Sequence, residues 1–365
     1  MARWQARARA LHVDPNSPSQ RETSQAVTQR IGVIGGSGFI GTWLVDLLLT
    51  RDHAVRIIDV NPSKAHHDLW VPADVRDRDA LHGACRGCDV LYNLAAEHRD
   101  DVRPVDLYHQ VNVGGAHNTC DIAERLDINR LVFTSTVAVY GLPEDEVDET
   151  AVARPFNEYG RTKLEAEQVF RAWAERAPGR VLTIVRPTVV FGPGNRGNVH
   201  LLLEQIASGR SVVVGDGRNR KSMAYVGNLA EFLVYALGFA PGVHLYNYVD
   251  KPDFDMRRLV TLANETLGRS RPVRIPYVLG MAAGAACDWL AQLTGRQFPL
   301  SRIRVRKYAA NTTFAAKRIA STGFTPRHSL HDALVATIRH EFTDDDRSLE
   351  GVPPQDPLLS RWLDR

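Results

Sequence analysis

Tyr159 and Lys163, in Asn157-Glu158-Tyr159-Gly160-Arg161-Thr162-Lys163, stand four residues apart at the start of a helical run that extends to about Glu175. On a helix this spacing puts a phenol and an ammonium on one face, within one small site. A phenol that titrates at roughly 10 is a poor base at neutral pH, and a neighbouring cation favours its phenolate. Such pairs also occur on ordinary solvated helix faces, so the meaning of this one depends on the elements that would hold it.

Those elements begin with Ile31-Gly-Val-Ile-Gly35-Gly-Ser-Gly38-Phe-Ile-Gly41, which reads as an apolar strand, a glycine turn and the start of a helix through Trp43, Leu44 and Leu47 to Leu49. Glycines let a backbone approach a pyrophosphate, whose charge the helix N-terminus then stabilises. The spacing is Gly-x-x-Gly-x-x-Gly rather than the Gly-x-Gly-x-x-Gly of ordinary dinucleotide folds. The next strand, Ala54 to Asp59, ends in an acid about twenty residues past the loop, where a carboxylate accepts hydrogen bonds from a ribose and repels a 2′-phosphate.

Strand and helix then alternate. A strand at Ala73-Asp74-Val75 is followed by a helix from about Asp77 to Cys85, strand Val90 to Leu94, a helix around Val111 to Arg125 and strand Leu131 to Ser135. The Tyr159 helix, strand Val181 to Arg186 and a helix from Val199 to Ser208 complete a doubly wound parallel (Rossmann) α/β sheet, with a smaller, mostly helical C-terminal part for substrate. Ligands in such sheets bind beyond the C-terminal strand ends, where Ala95-Ala96, Thr134-Ser135-Thr136 and Pro187 fall. The chain divides into a basic, disordered extension over 1–29, a dinucleotide domain over 30–190, a substrate region over 191–345 interleaved with the last sheet elements, and a tail over 346–365.

Composition narrows the classes of function. With 365 residues and 44% hydrophobic content the chain can bury a large core and should be soluble. Forty-five basic against 42 acidic residues is too even a balance for a nucleic-acid partner. Cysteines at 85, 88, 120 and 287 form no disulfide framework and imply a reducing, cytoplasmic setting. The Cys85-Arg-Gly-Cys88 spacing has no second pair, so no metal site is expected. Val278 to Leu293 is apolar but too short for a membrane span, and reads as a buried or interfacial helix.

In this ordered combination of motifs, residues 30 to 340 resemble the extended short-chain dehydrogenase/reductase family, in its NAD-dependent epimerase/dehydratase branch acting on nucleotide sugars. The resemblance implies that Gly35, Gly38 and Gly41, with Phe39 and Ile40 between the last two, hold the pyrophosphate of NAD. Asp59 would take the adenosine ribose, and Asp74 with Val75 the adenine. Leu94, Ala95 and Ala96 would line the cofactor cleft, Asn112 brace it and Pro187 lie against the nicotinamide. Thr136, in Thr134-Ser-Thr-Val-Ala-Val-Tyr140, would complete a catalytic triad with Tyr159 and Lys163, the last two also touching NAD. Arg220 and Asn198 would grip the substrate diphosphate, and the molecule would be a homodimer.

The same resemblance shows departures. Dehydratases of this branch place an Asp-Glu pair after the catalytic threonine, where this chain has Val137 and Ala138. What remains is reversible oxidation of a secondary alcohol, and the reading is 4-epimerisation of a UDP-hexose or UDP-N-acetylhexosamine through a transient ketone. Val189 replaces an asparagine of many epimerases, the loop Glu97-His-Arg-Asp-Asp-Val102 is unusually charged, and Ile275 through Phe298-Pro-Leu is similar to 3β-hydroxysteroid dehydrogenases. A net dehydrogenase or ketoreductase acting on a sugar nucleotide or steroid-like alcohol is therefore the alternative. A non-catalytic NAD sensor is disfavoured, because both Tyr159 and Lys163 are kept. After Asp59 the chain continues Val60-Asn61, with no arginine for a 2′-phosphate, so NAD(H) is expected to bind more tightly than NADP(H) and Asp59→Ala to narrow the gap. Equal or tighter NADP(H) binding by the wild type in a fluorescence titration overturns this.

Overall fold

The computed structural model describes residues 28–99, 102–143, 145–209, 212–269, 273–294, 302, 305 and 311–343. Nearly all of the N-terminal extension, the C-terminal tail, Asp100-Asp101 of the charged loop and Phe298-Pro-Leu lie outside the described residues. The first half runs β1 (Arg30–Ile34), α1 (Phe39–Thr50), β2 (Ala54–Asp59), β3 (Trp70–Pro72), α2 (Arg78–Cys85), β4 (Val90–Asn93), α3 (Asp106–Tyr108), α4 (Gly115–Arg125), β5 (Arg130–Thr134), α5 (Glu158–Glu175) and β6 (Val181–Pro187). The second half runs β7 (Val189–Phe191), α6 (Asn198–Ala207), β8 (Val212–Val214), β9 (Arg220–Tyr225), α7 (Val226–Tyr235), β10 (Gly242–Tyr248), β11 (Asp250–Asp255), α8 (Met256–Thr266), β12 (Val273–Ile275), α9 (Tyr277–Thr294), α10 (Lys317–Ala320) and α11 (Leu330–Phe342).

Seven strands form one parallel sheet in the order β10-β6-β5-β4-β1-β2-β3. Helices cover both faces, so the central strands read as unbroken apolar runs rather than alternating ones; Ile31, Val33 and Ile34 of β1 are all buried. One face packs on α1 and α7, where Trp43 meets Tyr225 edge-on at 5.9 Å between ring centroids. The other packs on α2, α4 and α5, where Phe133 and Phe170 lie 4.5 Å apart. The seventh strand, β10, comes from the second half of the chain and pairs with β6 from Gly242↔Val181 to Tyr248↔Pro187. Two small sheets, β11-β9-β7 and β12-β8, sit among the helices of that second half.

Three expected elements differ in detail. The strand expected at Ala73–Val75 is Trp70–Pro72, because the Trp70 indole donates to the Asp59 carbonyl at 2.9 Å and Asp74 turns the chain by accepting from the Arg76 amide at 2.9 Å. The helix before β5 starts at Asp106 and passes through a π-helical turn, His109–Gly114. Helix α9, expected as buried or interfacial, forms over Tyr277–Thr294, and one long face of it is exposed, so of the two alternatives it is not the buried one.

Two glycines set the distances on which the site depends. Gly35 has φ +80°, and a Cβ there would stand 2.5 Å from the Ala95 amide, so β1 can turn beside the end of β4 only without a side chain. At Gly160 a Cβ would lie 2.6 Å from the Ala138 carbonyl oxygen. Helix α5 therefore presses its first turn onto the 3₁₀ turn Val137–Tyr140 that follows Thr136. Gly160→Ala is expected to push the two apart, lowering stability by about 1–3 kcal/mol and turnover by about tenfold or more. Unchanged urea midpoints and kinetics would remove this steric role.

Candidate active site

A cleft of about 1620 Å³ opens beyond the C-terminal strand ends. Its lining brings together Gly35, Gly38, Phe39, Ile40, Gly41, Asp59, Asp74, Val75, Leu94, Ala95, Ala96, Thr136, Tyr159, Lys163, Pro187 and Asn198, drawn from across the chain. The volume exceeds the roughly 300–1,000 Å³ of a pocket for one small ligand, and suits a dinucleotide with a second molecule beside it.

At the cofactor end Asp59 closes β2 against the glycine turn, its carboxylate accepting from the Ser37 amide at 3.1 Å and the Asn61 amide at 3.0 Å. The bare backbone from Gly35 to Gly38, the N-terminus of α1 and this carboxylate are the donor and acceptor set that a pyrophosphate and a ribose diol require. Asp74 is paired with the Arg76 guanidinium at 2.6 Å, which holds its carboxyl below the usual range. The far wall is the loop after β4. Asn112, behind the lining, accepts from the Glu97 amide at 2.9 Å and donates to the Glu97 carbonyl at 3.1 Å and to Thr162 Oγ1 at 2.9 Å. It thus bolts that loop to α5, and it does so from the π-helical turn, where the extra residue re-aims a side chain. Glu97 in turn accepts from the His98 and Arg99 amides and pairs with the Arg99 guanidinium.

Thr136, Tyr159 and Lys163 meet on the cleft floor. Asn157 caps α5 by accepting from the Gly160 amide at 2.9 Å, so the helix begins just before Tyr159. Burial pushes the Tyr159 phenol up to about 12, and its hydrogen bond with Thr136 pulls the other way. Lys163 is 1% exposed, with Nζ 4.1 Å from the centroid of the Phe133 ring. Burial lowers it to about 7, the nearby Glu167 opposing this. The protein by itself thus holds the pair as a neutral phenol, and a base at Tyr159 needs further positive charge beside it.

Sequence reasoning missed the support behind this floor. Arg186 donates to Glu167 through Nε at 2.8 Å and Nη2 at 2.6 Å, and Ser135 Oγ donates to Glu167 Oε1 at 2.5 Å. Glu167 follows Lys163 by one helical turn, a spacing that places it on the same face, but its partners lie on other strands. Arg220 stands outside the cleft lining, exposed, with its amide bonded to Asn311 Oδ1. The cation that β9 turns into the cleft is Lys221, half-buried, donating from Nζ to Thr312 Oγ1 at 2.9 Å and lowered by burial to about 8. Strand alternation carries the signal: Lys221 shares a strand face with the buried Met223 and Tyr225, and Arg220 does not.

A model of the NAD-dependent epimerase/dehydratase family matches residues 31–247. The chain belongs to that family, and it is an NAD-dependent enzyme. It is 45% identical over 313 residues to the N-acetyl-alpha-D-glucosaminyl-diphospho-ditrans,octacis-undecaprenol 4-epimerase of Escherichia coli O157:H7, covering 85% of this chain and 94% of that one. It is 30% identical to a 4-hydroxy-2-methyl-3-oxo-4-farnesyl-3,4-dihydroquinoline-1-oxide ketoreductase of Stigmatella aurantiaca, over 84% of this chain and 95% of that one. In fold it is similar to the UDP-glucose 4-epimerase of Thermus thermophilus complexed with NAD, at TM-score 0.67 and 22% identity, over 85% of this chain and 98% of that one.

Within this epimerase/dehydratase family the chain carries no acid where dehydratases need one: Val137 and Ala138 both line the cleft next to Thr136. Among the described residues no cluster of His, Cys, Asp and Glu could hold a metal ion. The buried Lys163 also has a measurable cost. The unfolded chain keeps the lysine proton up to the ordinary value of 10.5 while the folded protein loses it near 7, so its penalty is full below about pH 7 and fades as pH rises to 10.5. Lys163→Met is therefore expected to stabilise the cofactor-free protein by a few kcal/mol, on the order implied by linkage, at pH 6, with the gain shrinking toward pH 10. Turnover should be lost. Thermal melts across that range check this, and a variant less stable than wild type at pH 6 overturns it.

Proposed function

We propose that this enzyme interconverts the C4 epimers of an N-acetylhexosamine carried on a diphosphate, and that the carrier is a polyprenol rather than a nucleoside. The observation that carries the reading is a floor equipped for alcohol oxidation and nothing more, Thr136, Tyr159 and Lys163 beside Val137 and Ala138, with the cation Lys221 on the cleft wall. The 45% identity to a diphospho-undecaprenol 4-epimerase supports the carrier, as do four exposed apolar side chains in the cleft lining, Leu142, Phe156, Val189 and Leu201.

On this reading Tyr159 takes the proton of the sugar 4-hydroxyl while Thr136 hydrogen-bonds the reacting oxygen. The glycine turn, Asp59 and Lys163 would hold NAD, which when bound would supply a reversible hydride acceptor and a positive ring charge that favours the phenolate. Lys221 and the first turn of α6, from Asn198, hold the diphosphate, since N–H groups of a helix start lack a carbonyl one turn upstream. The oxidised sugar would turn over on this tether, and Tyr159 would return the proton to the same oxygen in the reverse step. The homodimer and the cytoplasmic setting belong to the same proposal, with sedimentation velocity as the check on the first.

Product analysis with N-acetylglucosaminyl diphosphate carried on a prenol tests the reaction. The expected result is the galacto epimer with no accumulation of NADH at 340 nm. Stoichiometric NADH release, or conversion only of UDP-linked sugars, overturns it, and net oxidation of a free alcohol favours the dehydrogenase alternative.

Lys221→Met should raise KM about tenfold or more, the scale of a lost charge-assisted bond, while Arg220→Ala changes it little. Because Lys221 loses its proton near 8, KM of the wild type should climb as pH rises through that value, and this climb should vanish in Lys221→Met. A Lys221→Met variant with wild-type KM removes the anchor.

A further inference from the structure

We propose that α9 docks this enzyme onto an anionic lipid surface, its apolar face lying in the headgroup boundary, so that a lipid-carried substrate reaches the cleft without leaving the membrane. This rests on the polyprenol reading and adds the surface that serves it. Helix α9 turns its glycines inward: Gly280 and Gly284 are buried, and a Cβ at Gly280 would stand 2.9 Å from Val214 of β8. The opposite stripe carries Val278, Leu279, Ala282, Ala283, Ala286, Trp289 and Leu290, all exposed, with Val278 at 75%, Leu279 at 60% and Trp289 at 62%. A soluble helix places its apolar residues against protein and its polar residues in water, and here the described residues of the outward stripe include no polar one.

The helix is 18 residues, about 27 Å at the usual rise, and no described helix is long and apolar enough to cross a membrane. It fits a surface-lying helix with Trp289 and Tyr277 at the water boundary. Charge selects the occupant. From Arg269 to Lys307 the sequence holds eight basic residues and one acid, Asp288, which is paired with Arg302 at 3.2 Å. A segment of that composition attracts anionic headgroups and repels a second copy of itself. Its place is also apt. α9 starts against the turn at Gly215, on the segment that leads from β8 into β9 and so to Lys221.

The test is flotation of the full-length protein with vesicles of phosphatidylethanolamine plus phosphatidylglycerol, and with phosphatidylcholine alone, without substrate. The wild type is expected to float with the anionic vesicles only, and Leu279→Glu/Trp289→Glu to reduce the bound fraction about tenfold or more. That variant should still epimerise a water-soluble short-prenol substrate while losing turnover on the vesicle-embedded long-chain one. Arg269→Gln/Arg274→Gln, which leaves the helix intact, should weaken anionic binding alone. No flotation of the wild type, unchanged flotation of both variants, or a dimer that the α9 variant splits without vesicles overturns the proposal. Flotation without epimerisation of either substrate sinks the polyprenol reading instead, and epimerisation without flotation sinks only the docking.

Discussion

Glu167 and Arg186 face each other as a bidentate ion pair, 1% and 5% exposed, behind the cleft floor formed by Thr136, Tyr159 and Lys163. Desolvating two charges costs nearly as much as their attraction returns, so the pair contributes little net stability. Its value is geometric. Glu167 lies one turn past Lys163 on α5, Ser135 donates to it from the residue before Thr136, and Arg186 precedes Pro187 at the end of β6. One carboxylate thereby sets the spacing of the three segments that carry Tyr159 with Lys163, Thr136 and Pro187. Arg186 also donates to the Tyr140 hydroxyl at 2.7 Å, and Tyr140 donates to Asn247 of β10 at 2.8 Å, which extends the brace into the strand that returns from the second half.

What the sequence made legible was local. The glycine turn, the acid at the end of β2, the Tyr159–Lys163 spacing at the start of α5 and the apolar first strand are each written within a few consecutive residues. The parallel order of the sheet follows, because right-handed crossovers leave few alternatives once strands and helices alternate. The Glu167–Arg186 pair was not legible, although each residue is plainly visible, because its geometry depends on a strand and a helix docking at a distance in sequence. The same holds for Asn112: the resemblance implies its bracing role, but the means, a π-helical turn from which it bonds Glu97 and Thr162 together, depends on contacts 15 and 50 residues away in the sequence.

The one-residue difference between Arg220 and Lys221 shows how sharp this limit is. In a strand, a shift of one residue moves a side chain to the other face. Arginine is the better chemical guess for gripping a diphosphate, since its fork binds phosphate in two places. The register of β9 overrides that preference: Met223 and Tyr225 must face the core, and Lys221 comes with them. A lysine is a compact charge whose proton affinity falls on burial, so an anchor built on it is tunable by pH in a way that a guanidinium is not.

That choice bears on how a sugar could be inverted. Epimerisation needs two opposed properties in one site: the ketone must not leave, and its ring must be free to turn. A rigid cage for the sugar would defeat the second, so retention has to come from a part of the substrate that does not react. On the proposed reading the diphosphate is that part, held by Lys221 and the start of α6, and the sugar side of the cleft can stay sparsely functionalised, as Val137, Ala138 and Val189 make it. The carrier beyond the diphosphate then contributes nothing to the chemistry and is free to differ between relatives of one fold. A nucleoside there calls for polar partners, whereas a prenyl chain calls for apolar side chains and a nearby interface. Leu142, Phe156 and Leu201 in the cleft lining, together with the outward stripe of α9, are the second kind of surroundings, the kind that the proposed substrate requires.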